Sequence, residues 1–114
     1  LMKEDKPLTL YDDGMQLRDY MHVNDICRAM KLVIERGWPD SIWNIAAGNP
    51  LPFKTIMERA RDYLGSKSEF KYVDYPEFNK VAQAYNYSVN ADKLRNLGFK
   101  PQISFDDGLK SLCL

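Results

Sequence analysis

The sequence predicts an α/β fold, with α+β character for the piece as it stands, and three observations lead there. Short runs of β character alternate with helical periodicities, in the order hairpin, helix, strand, helix, strand, long loop, helix, helix. The run Ile42-Trp43-Asn44-Ile45-Ala46 is apolar on both faces apart from Asn44, the pattern of a strand inside a sheet covered on both sides. A sheet of that kind needs more strands than these 114 residues obviously supply.

Each element has its own signal. Leu8-Thr9-Leu10-Tyr11 and Met15-Gln16-Leu17-Arg18 flank Asp12-Asp13-Gly14, and Asp-Gly between two β-like runs predicts a hairpin. Asn24 or Asp25 caps the next element, a helix with Ile26, Ala29, Met30, Val33 and Ile34 at helical spacing and Gly37 as its stop. Trp38-Pro39-Asp40 makes a turn into the strand at 42–46, which ends at Gly48-Asn49-Pro50. Pro52 suits the first turn of a second helix, with Phe53, Ile56, Met57, Ala60, Tyr63 and Leu64 on one face and Gly65 at its end. Glu69 to Val73 reads as a strand. Residues 74–88 show no period and are rich in Tyr, Asn, Gln and Pro, so they read as a long loop. Asn90 caps a short helix through Leu97, stopped by Gly98. Ser104 and Asp107 resemble a capping box for a last helix with Phe105, Leu109 and Leu112 on its apolar side and Gly108 weakening it.

Composition excludes several classes of function. A hydrophobic share of 45% and a charged share of 28% are ordinary for a globular protein. The 16 basic residues balance 16 acidic ones, which argues against a nucleic-acid partner. No apolar run reaches the length of a membrane span, and no secretory-signal pattern is visible in these residues. Cys27 and Cys113 make no disulfide framework and fit a reducing cytoplasm. One His and no Cys-x-x-Cys leave no metal site to expect.

The residues that could carry chemistry are few. Arg18 presents a planar fork of donors suited to phosphate oxygens, and a helix start follows it. The plainer reading is a surface arginine paired with Asp19 or Asp25. Asp25, near a helix start, reads as a structural acceptor of backbone N–H groups, and His22 as structural rather than catalytic. Tyr63-Leu64-Gly65-Ser66-Lys67 matches Tyr-x-x-x-Lys, but Gly65 ends the helix between the two, so they do not share a helical face.

The stretch Gln16-Leu17-Arg18-Asp19-Tyr20-Met21-His22-Val23-Asn24-Asp25 carries a family resemblance that reverses the preference for the plainer reading. It resembles the Gly-x-Gln-x-Arg-Asp-(Tyr/Phe)-x-(His/Tyr)-Val-x-Asp segment of the extended short-chain dehydrogenase/reductase family, the NAD-dependent nucleotide-sugar epimerases and dehydratases. Ile42-Trp43-Asn44-Ile45-Ala46-Ala47-Gly48 resembles that family's late strand. Asn90-Ala91-Asp92-Lys93-Leu94, Leu97-Gly98-Phe99-Lys100-Pro101 and Ser104-Phe105-Asp106-Asp107-Gly108-Leu109 resemble its closing motifs.

The resemblance implies the C-terminal, substrate-binding portion of an extended Rossmann-type epimerase or dehydratase, residues 1–114, lacking the nucleotide-binding half. Arg18 would reach the substrate diphosphate. Lys80 stands where many members carry a second diphosphate-binding Arg, Gln83 where an acidic residue holds the ribose, and Tyr87 where some epimerases line the sugar pocket. The parent enzyme would use NAD or NADP, by transient hydride transfer, in an isomerase, lyase or oxidoreductase reaction. This chain has neither the Gly-rich turn nor the helical Tyr-x-x-x-Lys, so no catalytic or cofactor-binding residue is expected in it and no cofactor is bound by it alone. The implied partners are a nucleotide sugar, the missing N-terminal Rossmann half and, through exposed Met30, Val33, Ile34 and the strand at 42–46, further copies of the chain. The alternatives are a stand-alone nucleotide- or partner-binding module without catalysis, and a purely structural domain. The reading frame upstream of Leu1 separates them.

Overall fold

The structure is a computed structural model that describes residues 1–78 and 86–113. After a 3-10 turn at Met2–Glu4 come β1 (Leu8–Tyr11), β2 (Leu17–Arg18), α1 (Val23–Arg36), β3 (Leu51–Pro52), α2 (Phe53–Leu64), β4 (Phe70–Val73), α3 (Asp92–Asn96) and α4 (Phe105–Cys113). The helices and the strand at 70–73 fall where the sequence predicts them, but the strand between α1 and α2 is Leu51–Pro52 and not the expected 42–46.

The strands pair differently from the expected hairpin. β1 lies parallel to β4, with Leu8 opposite Phe70 and Tyr11 opposite Val73. β2 lies antiparallel to β3, with Leu17 opposite Pro52 and Arg18 opposite Leu51. The turn between β1 and β2 is recruited by distant partners. The Asp12 N–H donates to the Val73 carbonyl (2.8 Å), and its carboxylate accepts from the Tyr75 N–H (3.1 Å). The Gly14 carbonyl accepts from the Lys54 N–H (2.8 Å). Asp12 and Gly14 both sit at positive φ, so the chain veers toward α2 instead of folding back on β1. The local Asp-Gly signal is correct as a turn and silent about which strands it joins.

The expected buried strand at 42–46 is absent as a strand. Ile42 is 88% exposed and Asn44 is also exposed. No other strand among the described residues runs beside it. Side chains hold it instead. Asn44 Nδ2 donates to the Asn90 carbonyl (3.0 Å), and Lys93 Nζ donates to the Ile42 carbonyl (3.0 Å) while lying 4.4 Å from the Trp43 ring centroid.

α1 is capped by His22, whose Nδ1 accepts from the Asn24 N–H (3.2 Å), rather than by Asn24 or Asp25. Its inner face places Ala29 against Leu94 and Phe99, with Met21, Leu32, Val33 and Ile45 around them. Its outer face is also apolar. Val23, Cys27, Met30 and Ile34 repeat at spacings of four, three and four, and all are exposed. Val33, expected on that outer face, belongs to the core instead. α2 packs on α4, with Arg59 donating to Asp106 (3.0 Å). The cap at Ser104 forms as expected, the Asp107 N–H donating to its Oγ (3.1 Å). The cap expected at Asn90 falls one residue later, on Ala91, which lends no side-chain hydrogen bond, while Asn90 Oδ1 accepts from the Asp92 N–H (2.8 Å) in a local turn before α3.

Candidate functional site

Arg18 closes β2 and is half-buried. One side of β2 is taken by β3. On the other side, Leu17 N–H donates to Asn86 Oδ1 (3.1 Å), and the Tyr87 N–H donates to the Leu17 carbonyl (3.0 Å). The backbone of Tyr87 is therefore bonded to the residue preceding Arg18, and the Tyr87 side chain is 54% exposed. Of the four residues expected at the site, the structure places the backbone of Tyr87 beside Leu17, the chain neighbour of Arg18. Lys80 and Gln83 lie outside the described residues. Arg18 Nη1 donates to the Leu17 carbonyl (2.7 Å).

The neighbours of Arg18 have structural work. Asp19 Oδ2 accepts from the Gly48 N–H (2.8 Å), which fastens the turn after residues 42–47 to β2. Gly48 is required there. Its φ is +72°, and a Cβ would sit 1.7 Å from Arg95 Nη2. Arg95 in turn pairs with Asp92 (2.8 Å).

Asp25 is fully buried. Its Oδ2 accepts from the Gln102 N–H (3.0 Å) and the Ile103 N–H (2.9 Å), and its Oδ1 pairs with Arg28. Burial pushes its pKa up, but the two backbone N–H groups and Arg28 outweigh that and hold it below the ordinary carboxylate range. The sequence names Asp25 as an acceptor of backbone N–H groups. The donors come from the distant Gln102–Ile103 stretch, which no local pattern reveals. His22, besides capping α1, packs its ring on Gly108, where an added Cβ would lie 3.3 Å from Cδ2. This accounts for a glycine inside α4.

Tyr63 and Lys67 are separated by Gly65, which ends α2 at φ +60°. The Tyr63 hydroxyl donates to Asp106 Oδ1 (3.0 Å), and this bond raises its pKa, opposite to the shift of an activated phenol. A largely apolar cleft of about 670 Å³ lies between the Tyr20–Val23 turn, α2 and α4, and neither Arg18 nor Tyr87 lines it. Among the described residues there is no group of three His, Cys, Asp or Glu able to hold a metal. No helix among them is long and apolar enough to cross a membrane.

Comparison with known proteins decides the family. The family model described as GDP-mannose 4,6 dehydratase matches residues 1–112. The chain belongs to this family. A probable dTDP-glucose 4,6-dehydratase of Sinorhizobium fredii is 32% identical over 110 residues, covering 92% of the chain and 31% of that protein. The solved dTDP-glucose 4,6-dehydratase of Bacillus anthracis, in complex with NAD, is 30% identical with a TM-score of 0.82, covering 96% of this chain and 34% of that one. DesIV of Streptomyces venezuelae, a dTDP-glucose 4,6-dehydratase solved with NAD, is 31% identical with a TM-score of 0.82, covering 96% and 34%. The chain thus spans about a third of the length of these relatives. Its fold is that of the C-terminal part of a Rossmann-type epimerase or dehydratase. The Bacillus anthracis and Streptomyces venezuelae dehydratases were both solved with NAD. The turn leaving β1 carries the carboxylates of Asp12 and Asp13, which repel a pyrophosphate, and it opens no helix, so that turn does not fit as a dinucleotide cradle.

Proposed function

We propose that residues 1–114 form the nucleotide-sugar-binding portion of an NAD(P)-dependent sugar-nucleotide epimerase or dehydratase. Arg18 neutralises the substrate diphosphate, and Tyr87 borders the sugar. The observation that supports this most is the pairing of Leu17 with Asn86 and Tyr87. It puts one end of the segment carrying Lys80 and Gln83 beside the strand that carries Arg18. Lys80 then adds a second cation, without the bidentate fork of an arginine, and Gln83 a hydrogen bond to a ribose hydroxyl. Charge-assisted contacts to phosphate are roughly twice as strong as neutral ones, so Arg18 carries the largest share of the binding.

In this reading the dinucleotide and the catalytic pair belong to the parent protein outside these residues, and this chain binds and orients. The outer stripe of α1 and the segment 42–46 are the faces that the Rossmann half covers. In isolation they promote self-association. The free thiols Cys27 and Cys113 accord with a cytoplasmic setting. Calorimetric titration of the chain with UDP, dTDP and GDP tests the proposal. Binding of a nucleoside diphosphate that Arg18→Ala abolishes, with an unchanged melting curve, supports it. Equal affinity in the variant refutes the role of Arg18.

A further inference from the structure

We infer that Gln16 is a positioning residue for Arg18. Its side-chain oxygen accepts a hydrogen bond from the guanidinium when that group turns from the Leu17 carbonyl toward a bound diphosphate. The inference rests on the diphosphate-binding reading of Arg18 given above.

Gln16 is only 4% exposed, and its Oε1 is buried without a hydrogen-bond partner. Buried polar atoms left in that state are rare and costly. A leucine or methionine would fill a similar volume without the cost, so the amide calls for a partner in another state of the protein. The backbone around it is pinned. Gln16 O accepts from the Phe53 N–H (3.0 Å), Gly14 O from the Lys54 N–H (2.8 Å) and Leu17 O from the Tyr87 N–H (3.0 Å). With the main chain held, a new partner must lie within reach of the Gln16 side chain.

Residues two apart on an extended chain face the same side, about 7 Å apart. Arg18 stands two residues from Gln16, which immediately precedes β2. A guanidinium has five N–H donors in a rigid fork, and the contact to the Leu17 carbonyl is among those it makes here. One N–H given to Gln16 Oε1 would fix the plane of the fork and leave a parallel pair for two phosphate oxygens. Gln16 itself touches no ligand in this arrangement. It sets the angle at which Arg18 meets one.

The test pairs affinity with stability in the 114-residue chain. Inorganic pyrophosphate is titrated by calorimetry into the wild type, Arg18→Ala, Gln16→Leu and Gln16→Met, and each is melted without ligand. Loss of one hydrogen bond to a charged group predicts roughly tenfold weaker pyrophosphate binding in both Gln16 variants. Removing the orphaned oxygen leaves their melting temperature unchanged or raises it. The Arg18 guanidinium N–H resonances slow in exchange on adding pyrophosphate to the wild type, and do not in Gln16→Leu. Unchanged affinity in both Gln16 variants overturns the inference. Affinity and melting temperature falling together in both also overturns it, because the amide is then structural. Loss of binding in Arg18→Ala with wild-type binding in the Gln16 variants removes only this inference. Wild-type binding in Arg18→Ala, or no binding by the wild type, removes the reading of Arg18 and this inference with it.

Discussion

Replacing Asp25 by asparagine or alanine isolates the contact that fastens α1 to the chain preceding α4. In the folded protein the Asp25 carboxylate accepts the Gln102 and Ile103 N–H groups and pairs with Arg28. Asp25→Ala leaves two N–H groups and a guanidinium without their acceptor. Breaking a buried charge pair costs about 3–5 kcal/mol. The Arg28 side chain is 38% exposed and partly rehydrates, so the lower end of that range applies. Small domains are stable by roughly 5–15 kcal/mol, so the loss is a large fraction of the total. Asp25→Asn keeps a carbonyl for the backbone donors but turns an NH₂ toward Arg28, and the cost falls to about 1–3 kcal/mol. At roughly 4–8 °C per kcal/mol, the asparagine variant melts perceptibly lower and the alanine variant far lower. The pH dependence has a fixed sign. The folded pKa is depressed, so this stabilisation is fully present above the unfolded value of about 3.9 and is lost as pH falls through the folded value. Urea denaturation of wild type and Asp25→Asn from pH 7 downward reads both effects. A gap between them at pH 7 that closes in acid is expected. Equal stability at pH 7, or a gap that persists unchanged into acid, refutes this account of Asp25.

The outer stripe of α1 yields a second prediction: the chain self-associates at micromolar concentration by light scattering, and Met30→Glu with Ile34→Lys gives a monomer without lowering the melting temperature. Ile34 is 83% exposed, so its replacement costs the fold little. Gly48→Ala destabilises by about 1–3 kcal/mol in urea, because a non-glycine residue at φ +72° is strained and Arg95 must leave its place. Tyr63→Phe changes stability by less than about 1 kcal/mol and leaves any activity of the parent enzyme intact, since its bond to Asp106 is exposed. A large fall in the parent's turnover would restore Tyr63 as a catalytic candidate. Hydrogen exchange in the parent enzyme shows stronger protection of residues 74–88 with nucleotide sugar than without it. Equal protection counts against closure of that segment over the ligand.

The sequence makes the local elements legible and their partners less so. α1, α2, α3 and α4 follow from apolar spacing and from stops at Gly37, Gly65 and Gly98, because helical hydrogen bonds are local. Strand partners are not local, so Asp12-Asp13-Gly14 could announce a turn without revealing that β1 pairs with β4 and β2 with β3. Ile42 to Ala46 has the composition of a buried strand, but a strand needs a neighbour to bond with, and among the described residues none lies beside it. At the candidate site, the residues alone leave Arg18 a surface arginine, and only the family resemblance singles it out. Its link to Tyr87 depends on two hydrogen bonds spanning about seventy residues, which no spacing encodes. The cap supplied by His22 is not legible in the sequence, because imidazole is an unusual cap and Asn24 and Asp25 beside it are common ones. Gly108 weakens α4 by propensity alone, and the His22 ring packed against it is a contact that no local pattern encodes.

The most direct test of the central claim is a crystal structure of this chain with a nucleoside diphosphate, UDP or dTDP. The account predicts the diphosphate oxygens within hydrogen-bond distance of the Arg18 guanidinium, with Tyr87 alongside. A diphosphate bound at another basic side chain, such as Arg28 or Arg59, with Arg18 still turned to the Leu17 carbonyl, would contradict it.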